Sequence, residues 1–228
     1  MASYKAILFD LDDTLLDRDN AVDQIFLMIL EKCYEGVNDS TKNEMLQKLK
    51  EYDKRAYGYS DKTTVLNTFF DEFPPKHRLP SNDIQDFWNH NFPNCFSIDQ
   101  HTLNIINTIK THVKVAIISN GTTHRQKAKI IKTNLNSYFD NILISEEVGF
   151  SKPDKRIFDL ALNKLNVQPE ETLFVGDDLK KDISGCQNVN IKGIWFNPHM
   201  TKNDTTIIPF AEIHSFDSLL DFLHNRSN

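Results

Sequence analysis

Residues 9–15 read FDLDDTL and follow directly on the apolar run AILF at residues 6–9. Such a run is typical of a buried β-strand, which places Asp10 and Asp12 at the carboxyl end of that strand. Asp10 can attack as a carboxylate nucleophile, and Asp12 can protonate a leaving oxygen and later deprotonate a water. A plain acidic turn is the alternative, because Asp is common where a strand enters a loop.

Three later segments also place polar residues at the ends of apolar runs. They read VAIISNG at 115–121, SKPD at 151–154 and LFVGDDLKKD at 173–182. Their candidate side chains are Ser119 and Asn120, then Lys152, then Asp177, Asp178 and Asp182. In a parallel sheet the ligand crevice lies outside the carboxyl ends of the strands, so these residues are expected to converge on one edge.

Each of these segments also has a simpler structural interpretation. Ser119 and its neighbours could cap a helix that starts near Thr123. Lys152 before Pro153 is typical of an ordinary helix start with a solvated lysine. Asp177 and Asp178 could cap the helix LKKDISG, although two adjacent carboxylates after a strand favour a metal. Context, rather than any one segment, favours the functional interpretation.

Taken in order, the four segments resemble the four motifs of the haloacid dehalogenase superfamily of hydrolases, and they span the chain from Asp10 to Asp182. The resemblance implies that Asp10 forms an aspartyl-phosphate while Asp12 serves as acid and base. It also implies that phosphoryl oxygens are held at Ser119, Asn120 and Lys152.

Magnesium is the expected cofactor. Mg²⁺ prefers hard oxygen ligands and takes one or two carboxylates, a demand that Asp10 and Asp177 suit. The resemblance adds the backbone carbonyl of Asp12 as a metal ligand. It gives Asp178 and Asp182 the role of binding waters or orienting neighbours, and which of these two touches the metal stays open.

Asp12 separates some activities within this superfamily. The haloacid dehalogenases and the phosphonate-cleaving enzymes generally have another residue at that position, so both activities are disfavoured. Sugar phosphomutases keep both aspartates, which leaves a mutase as an alternative. A non-catalytic phosphate-binding protein on the same fold is a second alternative, since fold does not fix function.

Two longer stretches resemble one branch of the phosphatases. SEEVGFSKPDKRIFDLAL at 145–162 and LFVGDDLKKDISG at 173–185 are similar to pyrimidine nucleotidases and acylneuraminate phosphatases. The resemblance implies hydrolysis of a nucleoside monophosphate or a sugar phosphate. Asp13 stands where many members have Gly, but Asp can adopt the conformations that turns require.

Hydrophobic periodicity divides the chain into a core and an insert. Helical spacing dominates from about residue 17 to residue 95, and strands alternate with helices from about residue 98 onward. We therefore expect a doubly wound, Rossmann-like parallel sheet formed by residues 1–16 and 97–228, with a helical cap at 17–96. The strand-like runs in the core are AILF, VKVAII, NILI, TLFV and KGIWF.

Substrate choice is expected to lie in the cap, where single residues are less informative. Aromatic side chains at helical spacing are more often core than a base-stacking surface, and this applies to Phe69, Phe70, Phe73, Phe87, Trp88 and Phe92. Isolated cations are usually solvated, so no phosphate contact is assigned to Arg18, Arg55, His124 or Arg125.

Composition limits the classes of partner. The chain has 228 residues and a net charge of −6, which is unlike the basic surfaces that bind nucleic acid. Its three cysteines form no close pair, the N-terminus lacks the pattern of a signal peptide, and no apolar run approaches the length of a membrane span. We expect a cytoplasmic monomer or weak homodimer that binds a small phosphate ester and neither nucleic acid nor membrane.

Overall fold

The computed structural model describes residues 4–56 and 61–225. The chain forms two compact units. The first, called the core here, comprises Met1–Leu16 and Ile98–Asn228, and the second, called the helical unit, is Asp17–Ser97. None of the helices in the described residues is long and apolar enough to cross a membrane.

The core contains a six-stranded sheet in the order β3-β2-β1-β4-β5-β6, with every pair of neighbours parallel. This confirms the expected doubly wound fold. β6 was not expected from the sequence, because it has three residues, includes the exposed Glu212 and lies at the sheet edge. The strands are β1 Ala6–Phe9, β2 Lys114–Ser119, β3 Asn141–Ile144, β4 Thr172–Gly176, β5 Lys192–Phe196 and β6 Ala211–Ile213.

Helices cover both faces of this sheet, which explains why β1 is apolar at every position. Leu8 packs in a cluster with Phe158 on one face, whereas the ring of Phe9 lies 6.3 Å from that of Phe216 on the other. Phe158 belongs to the helix Lys155–Leu165, and Phe216 is the first residue of the helix Phe216–Asn225. The core helices are α5 Gln100–Lys110, α6 Thr123–Lys132, α7 Ser145–Val148, α8 Lys155–Leu165, α9 Ser184–Gln187 and α10 Phe216–Asn225.

The helical unit is held together by aromatic packing. Four of the six candidate aromatics, Phe69, Phe70, Trp88 and Phe92, are buried, as the core interpretation predicts, and Phe73 and Phe87 are half-buried. Its helices are α1 Arg18–Cys33, α2 Asp39–Arg55, α3 Thr63–Glu72 and α4 Ser81–Asn91, followed by a 3-10 turn at Phe92–Cys95.

A buried ion cluster lies inside the helical unit. The Arg18 guanidinium is 2.6 Å from Asp53, and the Lys62 ammonium is 3.2 Å from the same carboxylate. All three side chains are at least nine-tenths buried. Arg18, one of the four cations considered from the sequence, is therefore part of the interior of this unit.

Candidate active site

Three adjacent strands deliver the predicted polar residues to one edge of the core sheet. Asp10 follows β1, Ser119 ends β2, and Asp177 follows β4. β1 lies between β2 and β4, with Phe9 in register with both Ile117 and Val175. From β1 the chain continues to β2 and β3 on one side, and it then crosses to β4, β5 and β6 on the other side. The edge next to β1 is therefore the topological switch point, where open α/β sheets bind ligands.

The chain turns sharply after Asp10. The amides of Leu15 and Leu16 both donate to the carbonyl of Leu11, and the Asp13 amide donates to the carbonyl of Leu16. Asp13 has a φ of 60°, a left-handed conformation that Asp adopts more easily than most residues. The Asp13 position therefore requires the same backbone geometry that Gly would supply.

Asp10, Asp177 and Asp182 form a carboxylate cluster, with one oxygen of each lying within 4.8 Å of the others. Asp182 reaches the cluster because Gly176 has no side chain: a Cβ there would lie 2.4 Å from Asp182 Oδ2. Both Asp182 and Gly176 belong to the fourth predicted motif. Of the two residues left open from the sequence, Asp182 is the one whose carboxylate joins this cluster.

Burial and mutual repulsion shift the proton affinities of this cluster. The pKa of Asp10 is raised from its ordinary 3.8 to about 7, mainly by burial; the Lys152 ammonium acts to lower this pKa, and the Asp182 carboxylate acts to raise it. Burial likewise raises the pKa of Asp177 well above its usual value, with Asp10 as the next cause. Without a compensating cation, the ionised cluster is unfavourable.

Asp178 has a different role from its neighbour. Its side chain accepts from the amides of Lys180 and Lys181 and caps the short π-helical turn Leu179–Ile183. Burial acts to raise the pKa of Asp178, but these hydrogen bonds and the Lys181 ammonium outweigh it and lower that pKa. The capping interpretation is therefore right for Asp178, whereas Asp177 accepts from the Thr14 hydroxyl at 3.2 Å and joins the metal-type cluster.

Lys152 is the buried cation of this cluster. Its ammonium pairs with Asp10 and lies 2.8 Å from Asp182. Burial acts to lower the pKa of Lys152, but the two carboxylates outweigh burial and hold that pKa above its usual value. Lys152 precedes α8 without belonging to it, because Asp154 caps the helix. The expectation of a solvated lysine at a helix start does not hold here.

Asn120 fixes the backbone of Lys152. Its amide oxygen accepts from the Lys152 amide at 2.8 Å, and its amide nitrogen donates to the Lys152 carbonyl at 2.9 Å. The Asn120 side chain is therefore engaged by the protein itself, and Ser119 does not act as the cap of α6, for which Thr122 occupies the N-cap position.

Two further residues of the site, both on α6, were missed from the sequence. The Lys129 ammonium donates to both oxygens of Asp12, at 2.7 Å each. The Gln126 side chain donates to Asp12 Oδ2 at 3.1 Å and to the Ser119 hydroxyl at 2.5 Å. The available signal was a helical spacing: Gln126, Lys129, Ile130 and Thr133 share one buried face, where a lysine is unusual.

The donor set fits a divalent cation. The four carboxylates of Asp10, Asp12, Asp177 and Asp182 meet the two ammonium groups of Lys129 and Lys152, which leaves a net charge of −2 when all are ionised. All the anionic donors are hard oxygens, as Mg²⁺ prefers. Charge and donor chemistry thus agree with the expected cofactor.

Fold and site together define a doubly wound α/β protein with an acidic, lysine-containing site at its switch point. The model of the haloacid dehalogenase-like hydrolase family matches residues 7–196. The chain therefore belongs to the haloacid dehalogenase-like hydrolase family. This confirms the resemblance drawn from the four motifs.

Curated relatives cover most of the chain. A glyceraldehyde 3-phosphate phosphatase of Pyrococcus furiosus is 31% identical over 204 residues, which is 86% of this chain and 82% of the relative. The pyrimidine 5'-nucleotidase PynA of Streptococcus pneumoniae is 31% identical over 238 residues, with 96% and 95% covered. These phosphatases support the expected enzyme class, a phosphoric monoester hydrolase.

A solved structure shows the same fold. The HAD-hydrolase YfnB of Bacillus subtilis, whose crystal structure is described as bound to magnesium, has a TM-score of 0.75 at 24% sequence identity. The match covers 97% of this chain and 99% of that one. The likeness extends to the whole chain and agrees with the parallel core and the helical insertion.

Proposed function

We propose that the protein is a Mg²⁺-dependent phosphatase that hydrolyses small phosphomonoesters through an aspartyl-phosphate on Asp10. The observation that carries the proposal is the position of Asp10, which lies at the switch point, pairs with the buried Lys152 ammonium and shares a cluster with the carboxylates of Asp177 and Asp182. With a divalent cation bound, such a site could hold a phosphate dianion while presenting an oxygen nucleophile to it.

In the first step an Asp10 oxygen attacks the phosphorus of the bound monoester. The new bond joins that oxygen to phosphorus, and the bond between phosphorus and the leaving oxygen breaks. Asp12 gives its proton to the departing alkoxide, which leaves as the alcohol. The products of this step are an aspartyl-phosphate on Asp10 and an ionised Asp12.

In the second step water hydrolyses the aspartyl-phosphate. Asp12 takes a proton from the attacking water, a bond forms from the water oxygen to phosphorus, and the bond from Asp10 to phosphorus breaks. Inorganic phosphate leaves, and Asp10 is again a carboxylate. Both steps need Asp12 in one place, first as acid and then as base.

The remaining residues bind and orient. Phosphoryl oxygens are held by the Lys152 ammonium, the Ser119 hydroxyl and Asn120. The side chain of Asn120 also keeps the Lys152 backbone in position. Asp10, Asp177 and the Asp12 carbonyl would hold Mg²⁺, which supplies charge neutralisation at the phosphoryl group.

For the substrate we propose a nucleoside monophosphate or a sugar phosphate. The motif resemblance supports this class, and relatives named as a pyrimidine 5'-nucleotidase and a glyceraldehyde 3-phosphate phosphatase act within or near it. We propose that the helical unit Asp17–Ser97 serves as the cap that selects the leaving group.

We propose that the protein works in the cytoplasm. The three cysteines, all buried and free, are compatible with the reducing cytoplasm.

A sugar phosphomutase is the second candidate, because it would use the same pair, Asp10 and Asp12. The two activities differ in the fate of the phosphoryl group. A mutase moves it to another position of the substrate without net release, whereas a phosphatase releases it as inorganic phosphate. A phosphate-binding protein would do neither.

The test is Mg²⁺-dependent phosphate release from an aryl phosphate and a panel of nucleotides and sugar phosphates. We expect release by the wild type and its loss in Asp10→Asn. Asp221→Asn, a change at an exposed aspartate on α10, is the matched control and should retain activity. Phosphate relocation without release would favour the mutase, and a folded protein with neither activity would contradict both enzymes.

A further inference from the structure

We infer that Lys129 is a positioning residue for the acid-base carboxylate Asp12, an inference that rests on the proposed function. Lys129 lies on α6 and is 117 residues from Asp12 along the chain. None of the four sequence motifs includes it. Its role is to hold Asp12 in the one orientation that both proton transfers require.

The contact between Lys129 and Asp12 is short and buried, and it involves both carboxylate oxygens. Lys129 Nζ is 2.7 Å from each oxygen of Asp12. The exposed fraction is 4% for Lys129 and 5% for Asp12. An ammonium that donates to both oxygens restrains rotation of the carboxylate about its last bond, which a single contact would not do.

Gln126, one turn earlier on α6, provides an independent second anchor. Its Nε2 bridges Asp12 Oδ2 and the Ser119 hydroxyl. Gly121 lies against this bridge, because a Cβ there would come within 3.1 Å of the Gln126 side chain. Asp12 is thus tied to α6 at two residues and, through Gln126, to the end of β2.

Stability alone does not account for a buried lysine at this position. Replacing a buried ion pair by well-packed apolar residues is often neutral or stabilising, so such pairs are weak evidence for a purely structural role. Ile130 and Thr133 show that the same face of α6 accepts apolar and small side chains. What Lys129 adds is a fixed direction for the Asp12 carboxylate.

The kinetic test exploits the two steps of the reaction. Nitrophenolate leaves without being protonated, so with 4-nitrophenyl phosphate only the second step needs Asp12. In Lys129→Met we expect that step to slow by about 10²-fold, the lower range for lost acid-base catalysis. For this substrate both kcat and KM should fall relative to the wild type, so that kcat/KM stays within about 3-fold of the wild-type value. Phosphorylated Asp10 should accumulate during turnover.

For the best nucleotide or sugar phosphate of the panel, the first step also needs a proton from Asp12. The same variant should therefore lose kcat/KM by about 10²-fold on that substrate. A loss of folded protein would not produce this difference between the two substrates, because fewer active molecules lower kcat/KM by the same factor for both.

Lys127→Met is the matched control, since Lys127 lies on the same helix, is exposed and pairs with Glu147. It should behave as the wild type on both substrates. If Lys129→Met fails to fold, Asp12→Asn and the double variant Asp12→Asn/Lys129→Met carry the test, because the double variant removes both buried charges. Loss of Lys129 should then cause no further slowing.

The outcomes separate this inference from the proposed function. A normal Lys129→Met enzyme, an equal loss on both substrates without accumulated phosphoenzyme, or further slowing in the Asp12→Asn background would overturn the role of Lys129. A wild type that releases no phosphate, or an active Asp10→Asn variant, would instead overturn the proposed function itself.

Discussion

The side chain of Asn120 pairs with the backbone of Lys152 through both ends of its amide, at 2.8 Å and 2.9 Å. The two residues lie 32 positions apart and belong to different motifs. This pairing fixes the position of the Lys152 backbone, and the carboxylates of Asp10 and Asp182 fix the position of its ammonium group. Lys152 is therefore constrained at both ends of its side chain.

The first prediction concerns Asn120→Ala. The change leaves the amide and carbonyl of Lys152 without these partners, so we expect a loss of about 1–3 kcal/mol in the free energy of unfolding. Phosphate release should fall as well, because Lys152 is no longer held. Urea unfolding and steady-state kinetics measure the two effects. Asn136→Ala, at an exposed residue, should change neither, and a fully active Asn120→Ala would contradict the coupling.

The second prediction concerns Gly176→Ala. A Cβ at this position would lie 2.4 Å from Asp182 Oδ2, so the carboxylate must move away from the cluster. We expect Mg²⁺ affinity, measured by calorimetric titration, to fall about 10-fold or more, as for other lost partners of metal ligands. Gly36→Ala is the contrast, because its φ of 66° costs stability but nothing lies within 4 Å of the added Cβ. Unchanged Mg²⁺ binding in Gly176→Ala would place Asp182 outside the metal site.

The third prediction is a pH dependence of the metal-free protein. The pKa of Asp10 is raised from 3.8 to about 7 on folding, so the folded state holds a proton that the unfolded state releases. This contribution to stability is complete below about pH 4 and is lost as the pH rises to about 7. Mg²⁺ requires the ionised carboxylate, and its stabilising effect should grow over the same range.

Thermal unfolding in a chelator and in Mg²⁺, at about pH 5 and about pH 8, measures this dependence. Other carboxylates titrate in the same range, so the informative quantity is the difference between wild type and Asp10→Asn. We expect the variant to lose less metal-free stability between the two pH values than the wild type does. Parallel curves for the two proteins would count against the raised pKa of Asp10.

The fourth prediction concerns Asp53→Asn in the helical unit. Asp53 carries the negative charge between the buried cations Arg18 and Lys62. Removing that charge leaves two buried cations in close proximity, and we expect a loss of about 3–5 kcal/mol in the free energy of unfolding. Glu51→Gln, which alters pairs at the surface of the same helix, should cost less than about 1 kcal/mol in urea unfolding. Equal costs would contradict the buried charge argument.

Sequence reasoning succeeded where a local pattern determines a position. Asp10, Ser119 and Asp177 each end an apolar run, and parallel strands carry the ends of such runs to one edge. It failed for Lys129 and Gln126, because their roles depend on Asp12, which faces them from the turn after β1 and is at least 114 residues away in sequence. On sequence alone they are two polar residues in a basic helix.

Other misses have local causes. The N-cap of α2 is Asn38, which accepts from the Thr41 amide, although Asp39 and Ser40 directly after it are also common capping residue types. Asn, Asp and Ser serve almost equally well at an N-cap, so their composition does not choose among neighbours. That Asp182 joins the carboxylate cluster while Asp178 caps the turn Leu179–Ile183 is likewise a matter of local geometry, which two acidic residues in a sequence do not reveal.

Along the sequence, the whole helical unit lies between the central strand β1 and the two strands that pair with it. It pairs with β2, which ends at Ser119, and with β4, which ends at Gly176. During synthesis, Asp17–Ser97 is complete before either partner strand has left the ribosome. The nascent chain therefore carries an unpaired apolar AILF segment until β2 has been synthesised, about halfway along the chain, and such a segment is prone to aggregate while it is exposed.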